Sequence, residues 1–405
     1  MDNRDEIGPG QVEWLDLGPA EPADGPAPPR RGRRPWYLLA AAIAVAVILI
    51  AALNHGTKRK TASPSHPSTA ISTETTAAPA STEVSPTSSP TASSSVAVTN
   101  VGHRLLDVPA DWELFGRGVD AVVRIELARG RVTRTAVPSL ELGGPASMVV
   151  GPDRLIVRPI DIAAGYEVRD GRPARELPAV FGQQGPVLPG PDRNHLWSPT
   201  GTVEKTVMRL VDFDGRPTGV SIRLPDGGQA GSDAAGYLTF YGTGGVYDAR
   251  PGVIRRITSG DLIAVGPTRW LTRECDERYH CQTIVTDRTT GTTRIVDFQP
   301  EGFGDIGVIA PDGSSAALIR QTGDNLPALH VIDLATGVDQ KSQVSIGPDN
   351  SFGGGQMAWS PDSRLLFVVG ANGRIVAVEP RTMRILDLGV TTPPMSQVAV
   401  RSGSN

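Results

Sequence analysis

Seven times between Ile125 and Met383 the chain repeats one short phrase: a β-rich run, then an acidic or polar residue, then a turn bearing Gly or Pro. The copies are IELARGR at Ile125, EVRDGRP at Glu167, LVDFDGRP at Leu210, VYDARPG at Val246, VTDRTTG at Val285, VIDLATG at Val331 and AVEPRTM at Ala377. With Leu127, Asp170, Asp212, Asp248, Asp287, Asp333 and Glu379 taken as equivalent, successive copies lie 43, 42, 36, 39, 46 and 46 residues apart. A spacing of about 40–45 residues is one blade of a propeller, a four-stranded unit that buries its apolar faces only against its neighbours. The expectation is an all-β, seven-bladed β-propeller over residues 99–405, with six or eight blades as the alternatives.

A second signal, offset from the first, is a hydrophobic strand, a small residue and Pro-Asp. Its best copies are VVGPDRL at Val149, IAPDGSSAAL at Ile309 and WSPDSRLLF at Trp359; weaker ones are LPGPDRNHL at Leu188, AGSDAAGYL at Ala230 and AVGPTRWL at Ala264. Proline presets φ near about −65° at the second turn position and Asp or Gly closes the turn, so each unit reads as strand, turn, strand, loop, strand, turn, strand. A Pro-Asp turn followed by a V-x-D-x-x-T-G hairpin resembles the WD40-like repeats of TolB-type propellers. The likeness spans residues 100–400, is clearest over 303–340 and 353–388, and lacks the Pro-Asp turn in the first blade. It implies a fold and no particular chemistry, because propellers serve as enzymes, scaffolds and binders. Closing such a ring requires one sheet to take a strand from across the seam, since an open edge leaves backbone groups unpaired. The segment Gln397–Val400 (QVAV) is the candidate for that strand.

The chain before residue 99 has a different physics. Residues 1–35 are Pro-, Gly- and acid-rich, which predicts a disordered tail. Residues 36–53, WYLLAAAIAVAVILIAAL, carry no charge over 18 positions. At about 1.5 Å per residue that length approaches the ~30 Å of a bilayer core, so the expectation is one transmembrane helix acting as a signal anchor. A cleaved signal peptide and a buried core helix are the competing readings. Arg30, Arg31, Arg33 and Arg34 precede it and Lys58, Arg59 and Lys60 follow, which leaves orientation nearly balanced. Residues 54–98 form a stalk: from Thr61 to Val98, 31 of 38 residues are Ser, Thr, Pro or Ala. Such a segment stays extended as a semi-stiff spacer. The stalk and the two cysteines favour a cytoplasmic N-terminus and an extracellular C-terminal body on the cell membrane.

Cys275 and Cys281 flank DERYH between two strand-like runs and are expected to face each other across a hairpin as a disulfide. Zinc, with His280, is the rival for that pair. His103, His195, His280 and His330 fall singly in separate repeats, and His55 and His66 precede the body, so no catalytic or metal-ligating set is assembled. No cofactor and no catalytic residue are therefore expected. Asp153, Asp192, Asp312 and Asp362 recur in the same turn, where they serve the turn; Asp212, Asp214 and Gly215 form a D-x-D-G that lacks the remaining ligands of a calcium loop. A formal net charge of −4 gives no basic field for nucleic acid. The tail holds one apolar island, with Val12, Trp14, Leu15 and Leu17, read either as a docking motif for a cytosolic partner or as chance. The function expected is a binding or scaffold module for cell-surface protein or glycan. A propeller enzyme, hydrolase or lyase, with a site in the central channel and a sensor coupled to the tail are the alternatives.

Overall fold

The computed structural model describes residues 95–137, 146–159, 165–177, 181, 185–201, 206–224, 228–242, 244–298, 307–320, 327–347 and 355–403. The expected tail, transmembrane helix at 36–53 and most of the stalk lie outside these. Among the described residues no helix is long and apolar enough to cross a membrane.

Every element in this body is a strand, and the sequence repeats set where each strand starts and stops. Strands are numbered in chain order. Three sheets are four-stranded antiparallel meanders that follow the chain directly: β5 (Ala146–Val150), β6 (Arg154–Pro159), β7 (Gly165–Arg169) and β8 (Arg175–Leu177); β13 (Gln229–Ser232), β14 (Leu238–Gly242), β15 (Gly245–Arg250) and β16 (Val253–Thr258); and β25 (Met357–Trp359), β26 (Leu366–Val369), β27 (Ile375–Glu379) and β28 (Arg384–Asp387). A fourth meander consists of β9 (Leu188–Pro189), β10 (His195–Thr200), β11 (Val207–Asp212) and β12 (Pro217–Arg223). An eight-stranded sheet joins β17 (Asp261–Val265), β18 (Arg269–Cys275), β19 (Cys281–Asp287) and β20 (Thr293–Val296) to β21 (Gly307–Ile309), β22 (Ser315–Arg320), β23 (Ala328–Asp333) and β24 (Asp339–Ser345). Its two halves meet through a parallel pair, Ala264 opposite Gly307 and Val265 opposite Val308.

The sixth sheet closes the ring. Its order is β1 (Val96–Asn100), β4 (Arg131–Ala136), β3 (Ala121–Glu126), β2 (Glu113–Gly118) and β29 (Met395–Arg401). The expected QVAV segment lies inside β29, with Gln397 opposite Arg117 and Val398 opposite Gly116. A Cβ at Gly116 would stand 2.7 Å from the Met395 sulfur, so glycine there lets the Met395 side chain of the borrowed strand lie against β2 without shifting. The seam also explains the missing Pro-Asp turn of the first repeat. Its innermost strand arrives from residues 395–401, so no turn joins that strand to β2. At the outer side β1 begins at Val96, taking in residues 96–98 that composition assigns to the stalk.

The Pro-Asp turns join the first two strands of their meanders, and all seven copies of the first repeat fall on the third-to-fourth-strand hairpin. The equivalences shift slightly: the third strands end at Glu126, Arg169 and Arg250, one residue before Leu127, one before Asp170 and two after Asp248. The backbone N–H groups of Gly130, Gly291 and Gly337 donate to Glu126, Asp287 and Asp333 carbonyls, which fixes the true register.

The cores lie between sheets. Phe115 and Val122 pack on Leu155 and Tyr166; Ile156 on Leu196 and Val211; Trp197 and Leu210 on Leu238 and Phe240. Leu271 and Val285 pack on Ala316 and Ile332, Ile319 and Leu329 on Met357 and Leu366, and Phe367 and Ile375 on Leu114 and Ile125. Apolar packing thus runs from sheet to sheet except between β13–β16 and β17–β20, which a polar cluster around Arg288 joins, the last sheet returns to the first, and the result is an all-β propeller-like ring.

Candidate functional site

The hairpin between β18 and β19 is the most specialised surface feature. Cys275 and Cys281 are opposed in the ladder and disulfide-bonded, as the sequence predicts. Beyond them Asp276 organises a tight turn: its Oδ1 accepts the Arg278 and His280 N–H groups at 2.8 and 2.9 Å, and its carbonyl accepts the Tyr279 N–H at 3.0 Å. This winding forces Tyr279 to φ 64°, a left-handed conformation that a bulky aromatic residue adopts at a cost of about 1 kcal/mol or more. Tyr279 is nevertheless 88% exposed, so only its backbone bonds within the turn, and little side-chain packing among the described residues, offset that strain. His280 sits 3.4 Å from the Asp276 carboxylate, and the cysteines are consumed by the disulfide. No group of three or more metal-ligating side chains occurs among the described residues.

A buried ionic cluster joins β13–β16 to β17–β20. Arg288, just past β19, donates to Asp233 and, at 3.2 Å, to Asp248, and its Nη1 reaches the Gly266 carbonyl at 3.2 Å. Its guanidinium lies 4.3 Å from the Trp270 ring centroid, and the Trp270 Nε1–H donates to Thr239 at 3.1 Å. Asp233 is fully buried; burial pushes its carboxyl above the usual carboxylate range despite Arg288 and the Ala235 and Tyr237 N–H donors.

His330 on β23 is the one buried imidazole with an organised partner among the described residues. Its Nδ1 lies 2.9 Å from Asp339 Oδ1, while Arg320 Nη1 holds the other oxygen at 2.6 Å and stacks over Phe298. In the neutral tautomer with a proton on Nδ1, Nε2 is an acceptor, and it has no partner among the described residues. The side chain is only 8% exposed, which closes it to substrate in this state.

A third cluster spans the seam. Glu113 takes Arg124 and Arg401, Arg124 also meets Asp170, and Arg154 bridges Glu167 and Asp214 at 2.9 Å each. The cleft above, lined by Phe115, Thr133, Asp153, Arg154, Asp170 and Arg401, encloses about 20 Å³, room for one or two waters. Each of these cations already has its carboxylate, so the cluster is a staple between sheets.

The remaining predicted residues do what the turn reading requires. Asp192, Asp312 and Asp362 accept the Asn194, Ser314 and Arg364 N–H groups at 2.8, 2.9 and 3.1 Å. Asp153 meets Arg154 instead, at 3.3 Å. Asp212 accepts from Asp214 and Arg216, and Asp214 faces Arg154, which leaves the D-x-D-G engaged by protein. His195 pairs with Asp192 at 2.8 Å. Val12, Trp14, Leu15 and Leu17 lie outside the described residues.

No protein-family model matches the chain, and no curated protein matches it. Solved structures similar to it include apo AztD from Citrobacter koseri, at 14% identity over 72% of this chain and 98% of that one with a TM-score of 0.47. TolB from Acinetobacter baumannii is similar at 12% identity over 75% and 88%, with a TM-score of 0.40. Oligogalacturonate lyase from Vibrio parahaemolyticus is similar at 10% identity over 68% and 94%, with a TM-score of 0.43. At these scores the assignment rests on the chain's own sheets and their closure: the described body is a β-propeller-like fold.

Proposed function

We propose that the chain is a seven-bladed propeller, anchored in the cell membrane by residues 36–53 and held outside the cytoplasm, that acts as a binding or scaffold module for protein or glycan. Counting the eight-stranded sheet as two blades gives the seven. The observation that carries the binding role is the Tyr279 hairpin. A disulfide and an aspartate-centred turn fix the backbone that presents one aromatic side chain to solvent, which is how an interface anchor is preorganised. The disulfide supports an oxidising compartment, and hence the outward orientation of the body.

The test is in-cell cross-linking of the tagged full-length chain and its Tyr279→Gly variant. The expected outcome is a defined partner set on the wild-type chain that the variant loses while its folding is retained. Identical partner sets for the two would sink the proposal. The enzyme alternative has one observation behind it, the His330–Asp339 pair with its buried, unpartnered Nε2. Coupling to a cytosolic partner through Trp14 and its apolar neighbours is a separate proposal, tested by deleting residues 1–30 and scoring the cellular phenotype.

A further inference from the structure

The outer edge of β4 is covered, whereas the corresponding fourth strands β8, β12, β16, β20, β24 and β28 all end their sheets. The cover is β1, the strand that leads out of the stalk. Its ladder runs from Val96 opposite Thr135 to Asn100 opposite Arg131. It continues at both ends: the Ala136 N–H donates to the Ser95 carbonyl at 2.9 Å and the Val101 N–H to the Gly130 carbonyl at 2.8 Å. By antiparallel alternation the donors that β1 turns toward β4 are those of Ala97 and Thr99.

What β1 does not do is pack. From Ala97 to Asn100 every side chain is exposed, and Val98 retains 49% of its surface in solvent. Beyond the half-buried Val96, main-chain hydrogen bonds hold it, the mode by which an added strand binds a sheet edge with little regard to sequence. Directly after it Val101 packs on the core, the chain turns at Gly102, with φ 84° and open space around the position of a Cβ, and Leu105, Leu106, Val108 and Trp112 continue that core. The exposed run Ala97–Asn100 therefore detaches from β4 while Val101 and the residues after it stay anchored on that core.

The charge pattern says what would replace it. Arg131 and Arg134 on β4 each keep 46% side-chain exposure, and the β1 residues opposite them are Asn100 and Ala97, neither of which is charged. Each arginine has one carboxylate on its own sheet, Glu126 at 3.6 Å and Asp120 at 2.9 Å, and none across the ladder. An incoming strand with acids at those two positions gains opposite-charge cross-strand pairs that the resident lacks, roughly 1.5- to 5-fold in affinity for each.

We propose that the outer edge of β4 is a strand-addition site for an extended acidic segment of a partner protein, with β1 as its displaceable resident. The tether gives β1 an effective concentration in the millimolar range, so a trans strand gains access only when β1 is weakened or outcompeted.

The test uses the full-length chain in detergent and two labelled peptides, SSVAVTNV, the sequence of residues 94–101, and SSVEVTEV. The variant Ala97→Pro/Thr99→Pro removes both ladder donors of β1 and touches no buried side chain. Expected are loss of amide-exchange protection along β4 in the variant, binding of both peptides to the variant with restored protection, and tighter binding of SSVEVTEV. The wild-type chain binds neither at the same concentrations. Unchanged β4 protection in the variant, equal peptide binding by wild type and variant, or equal affinity of the two peptides each overturns the proposal.

Discussion

Replacing Arg288 by Met should be among the most damaging single substitutions in the ring, and its cost should depend on pH. Arg288 keeps 2% of its side chain in solvent and Asp233 none. Met fills much of the same volume against Trp270 but leaves Asp233 with two backbone donors and no cation. Asp248 is cushioned, because Arg250 and Arg255 lie 3.3 and 3.9 Å from it. One uncompensated buried carboxylate costs about 3–5 kcal/mol, and loss of the cation over Trp270 adds about 1 kcal/mol. The expected total at neutral pH is therefore about 4–6 kcal/mol. Asp233 already has a raised pKa, and a raised carboxylate favours the folded state below its unfolded pKa and loses that contribution as pH rises through the folded value. Removing Arg288 raises it further, so the penalty must grow from pH 5 to pH 8. Urea unfolding of the full-length chain followed by tryptophan fluorescence, with Trp270 as a local reporter, measures this. A loss below about 1 kcal/mol, or one that stays the same across that pH range, would refute the reasoning.

Tyr279→Gly should raise thermal stability, by about 1 kcal/mol in chemical denaturation, while weakening partner capture, because glycine takes up φ 64° without strain. Converting Cys275 and Cys281 together to Ser should cost about 2 kcal/mol, the chain-entropy value for so short a loop, and should raise amide exchange in 276–280 more than elsewhere. Acid should destabilise the body through its paired carboxylates. Burial pushes Glu167 up, but Arg169 and Arg175 together hold it below 4.5, and the Thr290 N–H and hydroxyl hold Asp287 low. Depressed folded pKa values give stability that is present above the unfolded pKa and lost as pH falls through the folded one. Melting temperature should therefore drop below about pH 4.5, and Glu167→Gln should flatten that drop.

How much of this was legible in the sequence follows from how far each interaction reaches. Turn chemistry is local, so Pro152-Asp153, Pro311-Asp312 and Pro361-Asp362 announced their hairpins within a few residues. Cys275 and Cys281 are six apart and faced each other as expected. The alternation in Gln397–Val400 sufficed to mark the closing strand. Equivalences at Leu127, Asp170 and Asp248 slipped by one or two residues because the acidic residue there is not always the one that ends the strand. The Arg288–Asp233 pair is 55 residues apart and joins two repeats, so no spacing within a repeat could reveal it. His330 and Asp339 are nine apart on neighbouring strands, a hairpin distance that ordinary surface pairs share. Strand β1 was hidden by composition: Val96 and Val98 sit at the end of a Ser-rich stretch with few apolar residues, and the backbone pairing that orders them needs no side-chain pattern.

The seam has a consequence for biosynthesis. Arg117 Nε donates to Gln397 Oε1 across 280 residues of chain, so the first sheet has no inner strand until nearly the whole body has left the ribosome. At about 5–20 residues per second the unsealed arc persists for tens of seconds, with the inner edge of β2 unpaired and the β25–β28 face, Phe367 and Ile375 among it, awaiting Leu114 and Ile125. Such an intermediate invites pairing with a neighbouring nascent arc. Folding yield of this chain is therefore set by how long one edge is kept from finding the wrong copy.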